Sequence, residues 1–210
     1  MPPTAERPTT SAALAPQSAG PPERVQEGRL VLRRMQAEDA RTIAVAVGES
    51  LDHLRPWMPW ATKEAADERT QRARIGEADE LWESGTDYIY AIFASDGGSG
   101  DGPLVGTIGL HRRPAENVIE IGYWIAVAQT RRGYGTAAAR VATSLAVALP
   151  GIRQVEIQCD EANVASAAIP RKLGYRLDRI EPHEPEAPGE QGRRMIWLWD
   201  TGDGVPDGAR

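Results

Sequence analysis

Cysteine is almost missing from this chain. Cys159 is the single one among 210 residues, so no disulfide can close within the chain, and no His/Cys cluster has the spacing of metal ligands. A metal site is therefore not expected. Histidine is scarce too: His53, His111 and His183 are scattered, with no serine or cysteine motif nearby to suggest a hydrolase triad, and none is assigned a role. No apolar run is long enough to span a membrane, and the start lacks the basic, then apolar, pattern of a secretory signal. A cytoplasmic protein without a membrane partner is expected. Positive charge is not in excess either. Lys and Arg number 24 against 30 Asp and Glu, a formal charge of −6. With no concentrated basic patch, a nucleic-acid partner is excluded and a cationic or amine partner fits better.

What is present suits one soluble domain, with 41% apolar and 26% charged residues. Residues 1–24 are rich in Pro, Ala and Thr, have no apolar periodicity, and read as a disordered tail. Residues 25–200 read as the folded domain and 201–210 as a flexible C-terminal tail. Within the domain, strand and helix signals alternate. Residues 29–33 read as a first strand and 38–47 as a helix. Residues 62–82 read as a charged helix weakened by Gly76. Strands are expected at 88–94, 104–110 and 118–127, the first two joined as a hairpin through the Gly/Asp/Ser-rich stretch 96–102. A helix over 136–149, a strand at 154–159, a short helix at 164–173 and a strand at 194–199 complete a mixed α/β sheet with flanking helices.

The most informative stretch is Arg132-Gly133-Tyr134-Gly135-Thr136-Ala137, between the strand at 118–127 and the alanine-rich helix. A glycine-rich turn that opens a helix presents unpaired N–H groups and the positive end of the helix dipole, which together hold a phosphate. Gly133 and Gly135 let the main chain approach a ligand without a Cβ in the way, and Arg132 adds charge. An ordinary tight turn would use the same residues. Neither common nucleotide loop fits: no Gly-Lys-Ser/Thr follows, and no third glycine completes a dinucleotide fingerprint.

In this context, Arg-x-x-Gly-x-Ala after an apolar strand resembles the pyrophosphate loop of the GNAT superfamily of acyl-CoA-dependent N-acyltransferases. Asn163-Val-Ala-Ser166 followed by Arg171-Lys172-Leu173-Gly174-Tyr175 is similar to a second family segment. Glu120-Ile-Gly-Tyr-Trp124 and Leu54-Arg-Pro-Trp-Met-Pro-Trp60 look most like the RimJ/RimL subgroup, which includes acetyltransferases of ribosomal-protein N-termini. The likeness implies a mostly antiparallel, twisted sheet splayed where acyl-CoA binds, with acetyl-CoA or another acyl-CoA as co-substrate. The phosphate loop (Arg132, Gly133, Tyr134, Gly135, Thr136, Ala137), the backbone of Ile125, Ala126 and Val127 and the side chain of Asn163 would hold it.

The resemblance also implies catalytic roles. Period-two alternation puts Glu120, Gly122 and Trp124 on one face and Ile121, Tyr123, Ile125 and Val127 on the other. Glu120 stands where many members carry the base that deprotonates the acceptor ammonium, and burial would raise its pKa usefully. A carboxylate paired with a nearby arginine is the plainer reading. Pro170 occupies the place of the tyrosine that usually protonates the thiolate, so Ser166 is the nearest replacement, although a helix cap explains it equally well. Pro170 also threatens the short helix. Asn163 would serve as an N-cap in either case.

On the acceptor side, Trp57 and Trp60 read as packing by default, with an acceptor groove as the alternative. Residues 181–190 are acidic and irregular, a solvated loop or a lure for a cationic amine. Cys159 reads as a small buried residue, since direct transfer in a ternary complex needs no covalent intermediate. The expected reaction moves an acetyl group to a primary amine: a protein N-terminus, a lysine or a small molecule. A non-catalytic acyl-CoA sensor is the rival of another class. Exposed tryptophans are the candidates for a homodimer contact.

Overall fold

The computed structural model describes residues 20–95, 101–113 and 117–204, the side chain of Asp203 excepted. The expected N-terminal tail up to residue 19, the glycine-rich stretch 96–100 and residues 205–210 of the expected C-terminal tail lie outside the described residues. Strands β1 (Arg24–Glu27), β2 (Leu30–Arg34), β3 (Asp87–Ala94), β4 (Leu104–Arg112), β5 (Val118–Ile125), β6 (Gln154–Asp160), β7 (Arg176–Pro182) and β8 (Arg193–Asp200) form one sheet. Its order is β1-β2-β3-β4-β5-β6-β8-β7. All neighbours are antiparallel except β5 and β6, which run parallel. Helices α1 (Ala40–Glu49), α2 (Leu51–Leu54), α3 (Glu68–Ser84), α4 (Tyr134–Ala148) and α5 (Val164–Leu173) flank it.

The two faces of the sheet follow from the pleat, since alternate side chains point to opposite sides. One face carries Leu30, Leu32, Ile92, Ile108, Ile119, Ile121, Val155 and Ile157 against the Ala138, Ala139, Val141, Ala142 and Ala146 stripe of α4. Small residues on that stripe let the helix axis approach the sheet closely. Val31, Ala91, Phe93 and Trp124 point the other way, onto Ile43 and Val47 of α1 and Ile75 and Ala78 of α3. The alternation expected along β5 is observed: Ile121, Tyr123 and Ile125 join the α4 side and Trp124 the α1/α3 side.

Several sequence boundaries shift for physical reasons. The first expected strand is preceded by another: β1 pairs Arg24 with Arg33 and Glu27 with Leu30. Residues 20–24, assigned above to the tail, are fastened to the domain, with Pro21 buried and the Tyr90 hydroxyl donating to the Pro22 carbonyl at 2.9 Å. Mostly exposed edge strands such as β1 and β7 bury few side chains, so hydrophobic periodicity does not reveal them. α3 runs straight through Gly76, which is exposed with nothing near its missing Cβ. Asp67 caps the start of that helix by accepting from the Thr70 amide at 3.1 Å, and left-handed Gly85 ends it. α5 matches the expected 164–173 and contains Pro170.

The Lys-Leu-Gly-Tyr segment proves to be architecture. Gly174, at φ 86°, stops α5, and buried Tyr175 pairs its hydroxyl with Thr143 of α4 at 2.6 Å. Burial pushes the Tyr175 phenol upward, so it stays a neutral hydrogen-bonding anchor. Among the described residues no helix is long and apolar enough to cross a membrane.

Candidate active site

β5 and β6 pair only through Val118–Gln154, Ile119–Val155 and Glu120–Glu156. Both strands then continue apart, to Ile125 and Asp160. The sheet therefore opens into a gap whose β5 edge has no partner strand. On the other edge of β5, the Ala126 amide donates to the Val105 carbonyl at 2.8 Å. Antiparallel alternation then turns the main-chain groups of Tyr123 and Ile125 toward the gap. Of the three residues expected to offer free amides there, only Ile125 does so. Ala126 is bonded to β4, and the Val127 amide donates to the Ser50 hydroxyl at 3.0 Å. Ser50, 1% exposed, thereby ties the α1–α2 junction to the end of β5.

The 132–137 loop lies at the same end of the sheet, where β5 hands over to α4. Gly133 is the N-cap residue of α4 at φ 82°, a left-handed conformation costly for a side chain, and no side chain caps the helix. The Ala137 amide bonds to the Gly133 carbonyl at 3.0 Å, while those of Tyr134, Gly135 and Thr136 have no acceptor among the described residues. These donors, with the helix dipole, are what an anion requires. A Cβ on Gly135 would come within 3.0 Å of Ile169 and 3.5 Å of Ile125, so this glycine lets α4 start against α5 and β5. Arg29 supports the loop, donating to the Arg132 carbonyl at 3.2 Å and lying over the Tyr134 ring. Arg131, at φ 59°, bends the chain into it.

A cleft of about 980 Å³ reaches the gap from the opposite side of the sheet. Its floor is ordered by register, because directly opposed residues share a face. One row runs Asp87, His111, Glu120, Glu156 across β3, β4, β5 and β6. The next runs Ile89, Gly109, Gly122, and the one after Ala91, Thr107, Trp124. The glycine row forms a trough between a charged row and an aromatic end. Trp60 meets Trp124 edge-on at 6.0 Å, Arg74 lies over Trp60, and Trp57 also lines the wall. Both tryptophans of the Pro-Trp-Met-Pro-Trp turn thus face the cleft, and Trp60 packs as well.

Glu120 lines this cleft, with its side chain 19% exposed. Arg113 donates to one of its carboxylate oxygens at 2.6 Å, the pairing the plainer reading anticipated. That contact raises the Arg113 guanidinium above its usual value. Glu120 and Ser166 do not meet directly: one stands on the cleft floor and the other on α5, with the gap between them. Ser166 has a different partner, the Tyr123 hydroxyl, 3.1 Å from its Oγ. Asn163 caps α5 by accepting from the Ser166 amide at 3.1 Å.

Pro170 explains the Tyr123 contact. Lacking an N–H, it cannot bond the Ser166 carbonyl four residues earlier. The Tyr123 hydroxyl lies 3.4 Å from that carbonyl and offers it a replacement donor. Burial pushes the Tyr123 phenol up, so it remains protonated. A hydroxyl pair, Tyr123 and Ser166, accordingly stands one turn before Pro170. Cys159 is half-buried beside it, its thiol pushed up to about 11 chiefly by burial, which leaves it unreactive.

The 181–190 segment is irregular beyond residue 182 and exposed at Pro182, Glu184, Pro185, Glu186 and Pro188, yet it is tied down at several points. Glu181 and Pro182 belong to β7. Beyond them the chain crosses the cleft mouth: the Gly189 amide donates to the Pro56 carbonyl at 2.9 Å, and Ala187 is buried. The Glu190 carboxylate is spent on the Glu186 and Ala187 amides. Asp160, at the end of β6, anchors the strap by accepting from the Ala162, Gln191 and Arg193 amides and from His183. Burial works against its ionisation, but these donors outweigh it and hold the carboxyl at about 2. Sequence reasoning missed Tyr123, Ser50, His111 and the Asp160 anchor. Their partners lie far away in sequence, and only strand register reveals them.

The parallel pair thus opens into a gap with a glycine-led helix start on one side and a cleft of mixed charge on the other. The family model for the acetyltransferase (GNAT) domain matches residues 29–176, and the chain belongs to that family. It is similar to a provisionally named ribosomal N-acetyltransferase of Bacillus subtilis (strain 168), YdaF. The two are 27% identical over 147 residues, 70% of this chain and 77% of the relative. Among solved structures, the fold resembles RimL, a ribosomal L7/L12 alpha-N-protein acetyltransferase in complex with coenzyme A. That match has a TM-score of 0.73 and 17% identity, covering 83% of this chain and 95% of that one. Mycobacterium smegmatis RimJ, in complex with a CoA disulfide, matches with a TM-score of 0.74 and 19% identity, over 83% of each chain.

Proposed function

We propose that this protein transfers an acetyl group from acetyl-CoA to a primary amine of a protein, its N-terminus or a lysine, by direct attack in a ternary complex. The gap between β5 and β6 carries this reading, because it joins a helix start with free amides to a cleft large enough for an acceptor chain. The free amides of Tyr134, Gly135 and Thr136, with Arg132, hold the pyrophosphate, and the β5 edge at Tyr123 and Ile125 binds the pantetheine arm. The amine nitrogen loses a proton and attacks the thioester carbonyl carbon. The C–S bond breaks, the thiolate takes a proton from Ser166, whose hydroxyl is backed by Tyr123, and the second proton leaving the attacking nitrogen restores the serine hydroxyl. Glu120 belongs to the acidic row that draws in the ammonium and receives its charge.

The protein acceptor is favoured by the cleft, roomier than a lone amine requires, and by relatives named for ribosomal proteins. The test is an acceptor screen: acetyl-CoA with peptides and amines, thiol release followed in time and products located by mass spectrometry. N-terminal or lysine acetylation of peptides is the expected result. Turnover of polyamines alone would replace the acceptor, and tight coenzyme binding without any turnover would make the protein a sensor.

A further inference from the structure

Resting on that reading, we propose that His111, oriented by Asp87, is the base that takes the proton from the acceptor ammonium. His111 Nδ1 lies 2.7 Å from an Asp87 carboxylate oxygen, and the two residues are directly opposed on β4 and β3. Both are largely buried, with side chains 23% and 17% exposed. An imidazole that donates from Nδ1 to a carboxylate keeps its lone pair on Nε2. No partner for Nε2 is found among the described residues. The ring lies along β4 over the glycine trough: a Cβ on Gly122 would sit 3.4 Å from Nε2, and one on Gly109 would collide with it. Glycine at 109 is what makes room for the ring, and Gly122 leaves its Nε2 in ordinary contact range.

The direction of the ring is what separates His111 from Glu120. Nε2 is carried from its own row toward Gly109 and Gly122, the side on which β5 parts from β6. Glu120 is held by Arg113, which lies beyond the end of β4 on the paired side. The groups facing His111 are Asp87 from β3, Glu120 from β5, Glu156 from β6, Arg113 past the end of β4, and Arg74 and Glu77 from the α3 wall. Carboxylates hold both sides of its row, and Arg113 is paired with Glu120. This setting suits a group that must become an imidazolium and back in each turnover. Of the two protons that leave nitrogen overall, one passes through Nε2 to solvent, and the other ends on sulfur as the C–S bond breaks.

The experiment combines kinetics with a measurement that needs no turnover. Acetyl-CoA and a lysine-free peptide with an N-terminal alanine are the probes, with kcat/KM recorded across pH. His111→Gln is expected to lose about 100-fold at neutral pH and the wild-type basic ionisation, within the range for general bases. Asp87→Asn should lose about tenfold, and His111→Ala should regain rate when imidazole is added. Nitrogen NMR of the free enzyme above pH 8 should show His111 protonated on Nδ1. A protonated Nε2, or a His111→Gln enzyme with unchanged rate and pH profile, would overturn the proposal.

Discussion

The two sides of the sheet gap are built on opposite principles. On the side we propose for the acyl donor the available groups are main-chain amides of consecutive residues at the start of α4, and side chains contribute mainly by being absent, at Gly133 and Gly135. On the acceptor side the working groups are side chains from β3, β4, β5, α3 and α5, none adjacent to its partner in sequence. A backbone site must be continuous, so it leaves a motif. A side-chain site is assembled by register and leaves scattered residues, each ordinary by itself. Different kinds of damage should therefore hurt the two sides.

The sharpest test adds a charged side chain to the backbone site. Gly135→Asp places a carboxylate among donors meant for phosphate and a Cβ against Ile169, so coenzyme affinity should fall more than about 100-fold by calorimetry. Retained affinity would erase the contrast. Next comes the strap. Asp160→Ala strands several donors and should cost about 2–3 kcal/mol in denaturant unfolding. Because the folded carboxyl sits at about 2 rather than its ordinary 3.8, its contribution is fully present above about pH 4. It drains away as pH falls from 4 toward 2, and Asp160→Asn should lack that part of the acid transition.

Smaller effects should come from single side chains. Ser166→Ala should lower turnover about tenfold, and Tyr123→Phe less, with coenzyme binding nearly intact. Equal loss of affinity in either would mean that the hydroxyl pair belongs to the donor side. Glu120→Gln should slow turnover about fivefold, most at low pH, where fewer acceptor amines are unprotonated. If it exceeded His111→Gln, the order of the two on the cleft floor would be reversed.

This division also explains what was legible beforehand. The mixed α/β class, α5 to the residue and the alternation of β5 were readable because apolar periodicity encodes them, whereas the gap was expected only from the family resemblance. Strands β1 and β7 were not, since edge strands with mostly exposed faces lack that period. The role of Glu120 was read from position alone, and Arg113 became visible as its partner only in three dimensions. His111 looked unassignable because Asp87 is 24 residues away and Gly109 and Gly122 carry no chemistry of their own. Pro170 read as damage to a helix, yet the carbonyl it frees is met by Tyr123.

The short seam between β5 and β6 has a mechanical consequence. With only three residue pairs zipped, the β6-β8-β7 flap is stitched to the rest of the sheet by a hinge-like hem plus the contacts of α4, α5 and the strap. A pantetheine arm lying along the bare edge of β5 would act as a splint, so substrate entry would stiffen the molecule and product exit would loosen it. Amide exchange at Ile157 through Asp160 should slow when coenzyme binds and quicken on its departure.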